Sequence, residues 1–300
     1  MKSIRDNEEI PNGSSVNMTT AGNGKAKVSV VKSTDALKAV ENALNLVGGL
    51  ERAVAPYPSV LVKPNFCGGV PGERGSHTSL AVLEAVLELL APLKKKVYIG
   101  EADGSFNWAD QVFSALSVHQ LAKRYGTEVV NLSTGPSVDL TVPQSLSLKN
   151  LRVARLLTES AIISVAALKT HPWTGVTFTM KNMFGAIYEQ EKALLHAGLD
   201  KNIVDITKVL RPTLCLVDGI YAVKHGGFKN GVWVGYPPEK MDLVVAGHDP
   251  VATDVVCTNL LERDPRQTSY LEMAAAQGVG NNNPHQIEVT TENCQYHPTA

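Results

Sequence analysis

The alternation of short apolar segments with helical segments constrains this 300-residue chain most. Residues 60–62, 97–100 and 161–167 have the apolar composition of buried strands, whereas leucine and valine recur at helical spacing over residues 80–93. Strands that alternate with helices of about 10–15 residues form parallel sheets with helical crossovers. The sequence therefore predicts an α/β fold with a mostly parallel sheet, as one body or as two α/β lobes with a site between them.

Composition along the chain divides it into three regions. Residues 1–25 are polar and rich in Gly, Asn and Ser, which is typical of a loose or disordered arm. Residues 26–284 carry the α/β pattern, with sub-lobes over about 26–150 and 151–284, and residues 285–300 are expected to form a loose tail.

Three local predictions refine this division. Residues 111–125 and 187–198 are each predicted as one helix from their apolar spacing. Residues 134–153 have the least helical pattern and are predicted to hold a hairpin.

The composition excludes several functional classes. A net charge of −1 and a pI near 6.7 provide no basic field for nucleic acid, and no apolar run approaches the roughly 18 residues of a membrane span. The four cysteines include no CxxC pair, which disfavours a disulfide framework and an iron–sulfur cluster. We therefore expect a soluble protein of the reducing cytoplasm, with a homo-oligomer left open.

Polar side chains follow the predicted strands at the point where each strand ends. They are Lys63 and Asn65, Glu101 and Asp103, Lys169 and His171, Asp218, and Asp249. Ligands of open parallel sheets bind outside the carboxyl ends of the strands. We therefore expect these side chains to meet around one pocket at a single edge of the sheet.

The densest polar cluster lies between residues 168 and 185, within an otherwise apolar segment. Burying Lys or Asn without hydrogen-bond partners is costly, so Lys169, Lys181 and Asn182 indicate a polar pocket for an anionic or carbonyl-bearing small molecule. Lys169 and His171 are two residues apart, so an extended backbone points both to one side. Repulsion between their positive charges would lower both pKa values and suit them to acid–base work.

The candidate site residues fall into two sets. The candidate catalytic residues are Lys169, His171, Lys181 and His196. The candidate substrate-binding residues are Lys63, Asn65, Thr78, Glu101, Asn182, Asp218 and His225. Simpler roles compete with these, since loop lysines are common, Asn often starts a helix, and a His near a helix end interacts with the helix dipole.

No cofactor is predicted, although a bound metal is left open. The residues that could supply ligands are His77, His171, His196, His248, Glu101 and Asp249. No two of the histidines have HxH or HxxxH spacing, so a metal centre would depend on the tertiary geometry alone.

Five segments in order resemble a family catalogued as domain of unknown function 362. They are Leu-Val-Lys-Pro-Asn at 61–65, Leu-Lys-Thr-His at 168–171, the Lys-Asn-Met-Phe-Gly stretch ending at 185, residues 211–219 and residues 246–254. The resemblance covers roughly residues 27–280. Many members are labelled iron–sulfur-centre proteins and carry a cysteine-rich, ferredoxin-like segment that this chain lacks. The resemblance implies common descent and no single chemistry.

The sequence leaves three functions open. The first is an enzyme, of the kind found in specialised metabolism, that uses Lys and His in lyase, isomerase, cyclase or dehydration chemistry on a small metabolite. In this hypothesis His171 moves the proton, and Lys169 and Lys181 stabilise the oxyanion. The second is an iron–sulfur-linked redox protein, and the third is a module that binds an anionic ligand without catalysis.

Overall fold

The computed structural model describes residues 24–66, 74–105, 108–189, 192–229, 232–235 and 237–298. The strands are β1 (Ala26–Lys32), β2 (Ser59–Pro64), β3 (Lys96–Glu101), β4 (Glu128–Asn131), β5 (Ser137–Thr141), β6 (Asn150–Ala154), β7 (Ser160–His171), β8 (Gly175–Thr177), β9 (Leu214–Val223), β10 (Gly226–Lys229), β11 (Val232–Gly235), β12 (Glu239–Gly247) and β13 (Ile287–Glu292). The α-helices are α1 (Ala36–Leu46), α2 (Leu50–Val54), α3 (Leu80–Leu90), α4 (Ala109–Ala115), α5 (Val118–Arg124), α6 (Leu156–Glu159), α7 (Thr179–Met183), α8 (Leu199–Val209), α9 (Pro250–Leu260) and α10 (Ser269–Ala276).

A nine-stranded mixed sheet forms the centre of the molecule. Its order is β13-β1-β12-β9-β7-β2-β3-β4, with β8 paired to β7. The run from β9 through β7, β2 and β3 to β4 is parallel, which confirms the predicted α/β fold with a mostly parallel sheet. Strands from both halves of the chain share this sheet.

Alternation along each strand builds one core on each face of the sheet. On β12, Val244 and Ala246 pack with α1 and α3 on one face, whereas Leu243 and Val245 face the core formed with α8, α9 and α10. Successive side chains of a strand point to opposite faces, so each face buries its own apolar row. Helices cover both faces, which places open loops at the strand ends.

The structure changes two helix predictions. Residues 111–125 form parts of α4 and α5, separated at Ser117, whose φ of 58° is left-handed and incompatible with a continuous right-handed helix. Among the described residues of 187–198, only Lys192–His196 is helical, as a 3-10 turn, and Ile187 instead forms a buried bridge to Val153. The hairpin predicted over residues 134–153 is confirmed as the antiparallel pair β5–β6.

Two strands place chain segments differently from the sequence predictions. The expected loose tail from residue 285 contains β13, which pairs in parallel with β1 and packs Ile287 into the core. Strand β12 runs antiparallel to β9, so Asp249 lies at the opposite edge from the ends of β2, β3 and β7. Asp249 instead caps α9 through the amides of Val251 and Ala252.

The predicted N-terminal arm lies mostly outside the described residues. Of the arm expected over residues 1–25, only residues 24 and 25 are described. Within the described ranges, no helix combines the length and the apolar character needed to cross a membrane.

Candidate functional site

A buried group of three side chains, which we call the inner clamp, joins the ends of β2 and β3 to α7. It consists of Lys63, Glu101 and Asn182. The Lys63 ammonium lies 2.7 Å from Glu101 Oε1 and donates to Asn182 Oδ1 at 3.0 Å and to the Pro64 carbonyl at 2.9 Å. An ammonium has three donors, and each is used here. Lys63 therefore holds the strand ends together from beneath the candidate site.

The other members of the inner clamp are also saturated by protein contacts. Glu101 accepts the amides of Phe66 at 3.1 Å and Ala102 at 3.0 Å. The side-chain amide of Asn182 donates to the Lys63 carbonyl and to Ser164 Oγ, each at 3.0 Å. A Cβ atom added to Gly185 would lie 2.8 Å from Lys63 Nζ, so the bare glycine backbone covers the clamp.

Thr78 and Asp218 hold the segment before α3 against the sheet. Thr78 Oγ1 accepts the Asn65 amide at 2.8 Å and donates to the Val165 carbonyl at 2.6 Å, and the cap of α3 is the next residue, Ser79. Asp218 accepts the Ser79 amide at 2.7 Å, and burial raises the pKa of its carboxyl. Both predicted substrate-binding side chains thus have protein partners at the expected edge.

Five basic side chains lie above the inner clamp, and we call them the cation cluster. They are Lys169, His171, Lys181, Lys192 and His196. The Lys181 and Lys169 charges and the His196 ring all act on His171, whereas Lys181 and Lys63 act on Lys192. The structure therefore brings together the four predicted catalytic residues and adds Lys192.

Lys192 is the residue that sequence reasoning missed. Its side chain is buried, and its ammonium donates to the Gly185 carbonyl at 3.2 Å. Burial lowers the pKa of Lys192 to about 8; the Glu101 and Asp103 carboxylates oppose this, and the Lys63 and Lys181 charges add to it. The sequence around Lys192 is typical of an exposed helix. The sequence feature that could have linked Lys192 to the site is its spacing of four residues from His196.

His171 is a neutral imidazole that carries its proton on Nε2. Three groups contact Nδ1: the amides of Trp173 and Thr174, both at 3.3 Å, and the Thr174 hydroxyl at 3.0 Å. The hydroxyl can donate or accept, but the amides only donate, so we assign the lone pair to Nδ1. Burial, together with the Lys181 and Lys169 charges, lowers the pKa of His171 to about 2. The ring therefore offers an Nε2–H donor near neutral pH.

His196 has the opposite tautomer. Its Nδ1 lies 3.0 Å from the Lys192 carbonyl and 3.3 Å from the Ala193 carbonyl, and carbonyls only accept, so Nδ1 carries the proton. The Nε2 lone pair is left to accept a proton or a hydrogen bond. Burial lowers the pKa of His196, and the Lys181 charge adds to that effect.

A second polar group, around His77 and Asn65, lies beside the cation cluster. Lys169 donates to the Ser76 carbonyl, and burial together with the Lys169 charge lowers the pKa of His77 to about 4. The Asn65 backbone bonds to Thr78, whereas its buried Oδ1 has no hydrogen-bond partner among the described residues. Asn65 therefore presents an acceptor for a ligand N–H or O–H group.

Asp254 fixes the helix that carries Lys181 and Asn182. Its buried carboxylate accepts the amides of Thr179 at 2.9 Å and Met180 at 3.1 Å, as well as the Thr179 hydroxyl. Burial raises the pKa of Asp254 to about 7. The final acidic residue of the segment 246–254 therefore acts on the site through the first turn of α7.

The structure does not place His225 in the cation cluster, and it does not group the candidate metal ligands into a metal site among the described residues. His225 is exposed on the turn before β10. Across the described ranges, no three His, Cys, Asp or Glu side chains are grouped so that they could hold a metal ion. His248 contacts the Thr213 carbonyl, at the edge opposite the cation cluster.

The described cysteines are dispersed. Cys215 and Cys257 are buried, which raises the pKa of each thiol, and Cys294 lies partly exposed beside β1. Cys67 lies outside the described residues.

Comparisons with known proteins extend the resemblance seen in the motifs. Residues 60–259 match a family described as Domain of unknown function (DUF362). The chain is 29% identical over 262 residues to the thylakoid-associated protein sll1697 of Synechocystis, a match that covers 85% of this chain and 78% of the relative. No solved structure matches significantly.

Proposed function

The chain belongs to this DUF362 family, whose description assigns no reaction, and we propose from the site itself that the protein binds a small anionic or carbonyl-bearing metabolite and performs acid–base chemistry on it. The observation that carries the proposal is the cation cluster, in which the Lys169 and Lys181 charges act on His171 and the Lys181 charge also acts on His196 and Lys192. Glu101, a buried carboxylate that acts on Lys192, is paired with Lys63. A bound anion would relieve the repulsion among the like charges of the cation cluster.

The different tautomers of His171 and His196 suit them to different steps of a proton transfer. An effective general base has a pKa near the working pH, and the pKa of about 2 at His171 is far below that range. His171 suits donation of its Nε2–H to a carbonyl oxygen, whereas His196 offers an Nε2 lone pair to a proton. This changes the sequence hypothesis, which gave the proton transfer to His171.

The lysines supply the charge that such a reaction needs. Removal of a proton beside a carbonyl places negative charge on the oxygen, and preorganised cations stabilise that charge. Lys181 and Lys169 would meet this oxyanion, and Lys192, with its pKa of about 8, would hold the substrate anion while protonated. Isomerisation, cyclisation, dehydration and lyase cleavage all share this first step.

The remaining predicted residues would support or complete this arrangement. The inner clamp, Thr78 and Asp218 would position the strand ends and α7, since their polar atoms bond within the protein. Asn65 Oδ1 would accept a hydrogen bond from the substrate.

Anion binding is the first test. Calorimetric titration with malonate and sulfate is expected to show binding that Lys181→Met weakens about tenfold, the loss of a charge-assisted contact. Lys201→Met, at an exposed position of α8, is the matched control and should leave affinity unchanged. Equal affinity in the Lys181→Met protein and the wild type would refute the proposed binding site.

Catalysis is tested by solvent exchange. Acetoacetate and 2-oxoglutarate in D2O should exchange the protons beside their ketones faster with protein present, as followed by NMR. His196→Asn should abolish the excess rate and leave malonate binding intact. Binding without any excess exchange would instead support the non-catalytic binding module.

We also propose a cytoplasmic location. The described cysteines are free, which is usual in reducing compartments. Fractionation of cells that express the protein, followed by immunodetection, would test this.

A further inference from the structure

Three exposed apolar side chains lie on loops at the carboxyl edge of the sheet. Within the described ranges the exposed large hydrophobic residues are Trp108, Trp173 and Leu194, with exposed fractions of 50%, 57% and 72%. Trp108 follows β3, Trp173 lies in the turn between β7 and β8, and Leu194 lies in the 3-10 turn Lys192–His196. Single exposed hydrophobic residues are ordinary, but these three share one edge with the cation cluster.

We call these three side chains the apolar rim, and direct contacts connect one of them, Trp173, to the cation cluster. The Trp173 ring lies 4.7 Å from the His196 ring, which lies 5.6 Å from the Phe184 ring. The Lys181 ammonium lies over the same Phe184 ring, 4.2 Å from its centre. An unbroken series of rings therefore leads from an exposed tryptophan to a lysine of the cation cluster.

The Leu194 turn is anchored to the loop that precedes Trp108. The Ala193 amide donates to Ser105 Oγ at 2.8 Å. Lys192, on the same turn, points inward and is buried, whereas Leu194 points outward. One short segment thus presents a charge to the interior and an apolar side chain to the rim.

We propose that the ligand of this site is an amphiphilic anion, whose charged head lies in the cation cluster and whose apolar part packs against Trp173 and Leu194. The proposal rests on the proposed function and specifies its substrate class. A wholly polar metabolite would leave both rim side chains in water. An apolar chain of the ligand would remove their surface from water and stabilise the complex.

Chain-length dependence of binding tests the proposal. Straight-chain carboxylates from acetate to decanoate, kept below their micellar concentrations, would be titrated by calorimetry. Affinity should rise with length by up to about fourfold for each fully buried methylene. Trp173→Ala should flatten this rise, whereas Trp108→Ala, which removes a tryptophan of similar exposure outside the ring series, should retain it.

The outcomes separate this inference from the proposed function. If short and long carboxylates bind equally well, the amphiphilic ligand is refuted and the anion site stands. If malonate and acetate both fail to bind, the anion site itself is refuted. Decan-1-ol binding as tightly as decanoate would show that the rim acts without the cluster and would overturn the proposal. Trp173-dependent sedimentation with anionic phospholipid vesicles, without chain-length dependence, would overturn it in favour of a membrane surface.

Discussion

Lys63 and Glu101 form an ion pair of 2.7 Å between neighbouring parallel strands, and their side chains are 0% and 4% exposed. Removing one partner leaves an uncompensated buried charge, which costs about 3–5 kcal/mol. We expect Lys63→Met and Glu101→Gln each to lower the free energy of unfolding by this order, measured by urea denaturation.

The surface pair Lys96–Glu128, 3.2 Å apart, is the matched control for that experiment. Exposed pairs contribute about 0–1 kcal/mol, so Lys96→Met should change stability little. Equal effects at the two pairs would contradict the structural role assigned to the inner clamp.

Anion affinity should fall as pH rises through about 8. Lys192 has a pKa of about 8, so its amine is charged below that pH and neutral above it. Sulfate keeps its charge across this range, so titrations at several pH values report on the protein. Lys192→Met should remove the transition near pH 8 and weaken binding at pH 7. A wild-type midpoint that persists in this variant would assign the transition to another group.

His171 should remain neutral throughout the pH range in which the protein stays folded. Its pKa of about 2 and the two amides at Nδ1 predict an Nε2–H tautomer, whereas His196 should show Nδ1–H. Long-range nitrogen–proton NMR spectra of histidine-labelled protein distinguish the two forms. Imidazolium signals from His171 near pH 6 would disprove the assigned role as a neutral donor.

Asp254 should make stability depend on pH between about 4 and 7. Its folded pKa of about 7 lies above the ordinary value of 3.8, so the native state holds the proton more tightly than the unfolded chain does. Stability from this group is therefore lost as pH rises from about 4 to 7. Thermal denaturation of Asp254→Asn should lack this component.

Asp35→Asn is the control for Asp254→Asn. Asp35 caps α1 by accepting the Lys38 amide, and an Asn at position 35 can form the same cap. It should keep the wild-type pH profile. If both variants keep that profile, the titration belongs elsewhere.

The sequence predicted the site best where local pattern and topology agree. Lys63, Glu101 and Lys169 lie near the carboxyl ends of β2, β3 and β7, and parallel strands bring such ends to one edge. The pattern cannot give strand direction, so Asp249 was expected at the wrong edge. Lys192 was not identified because its spacing from His196 does not reveal a burial that comes from distant segments. The tautomer of His171 depends on a turn that only the folded chain forms.

Strand β13 pairs with β1 and forms the edge of the nine-stranded sheet. It shields that side of β1 by six paired residues, from Ala26 opposite Ile287 to Val31 opposite Glu292. Without this segment, unpaired amides and carbonyls of β1 would face outward, and such an open border invites pairing between molecules. Strand β13 therefore takes the place of β1 as the border strand, far along the sheet from the strands that carry the cation cluster.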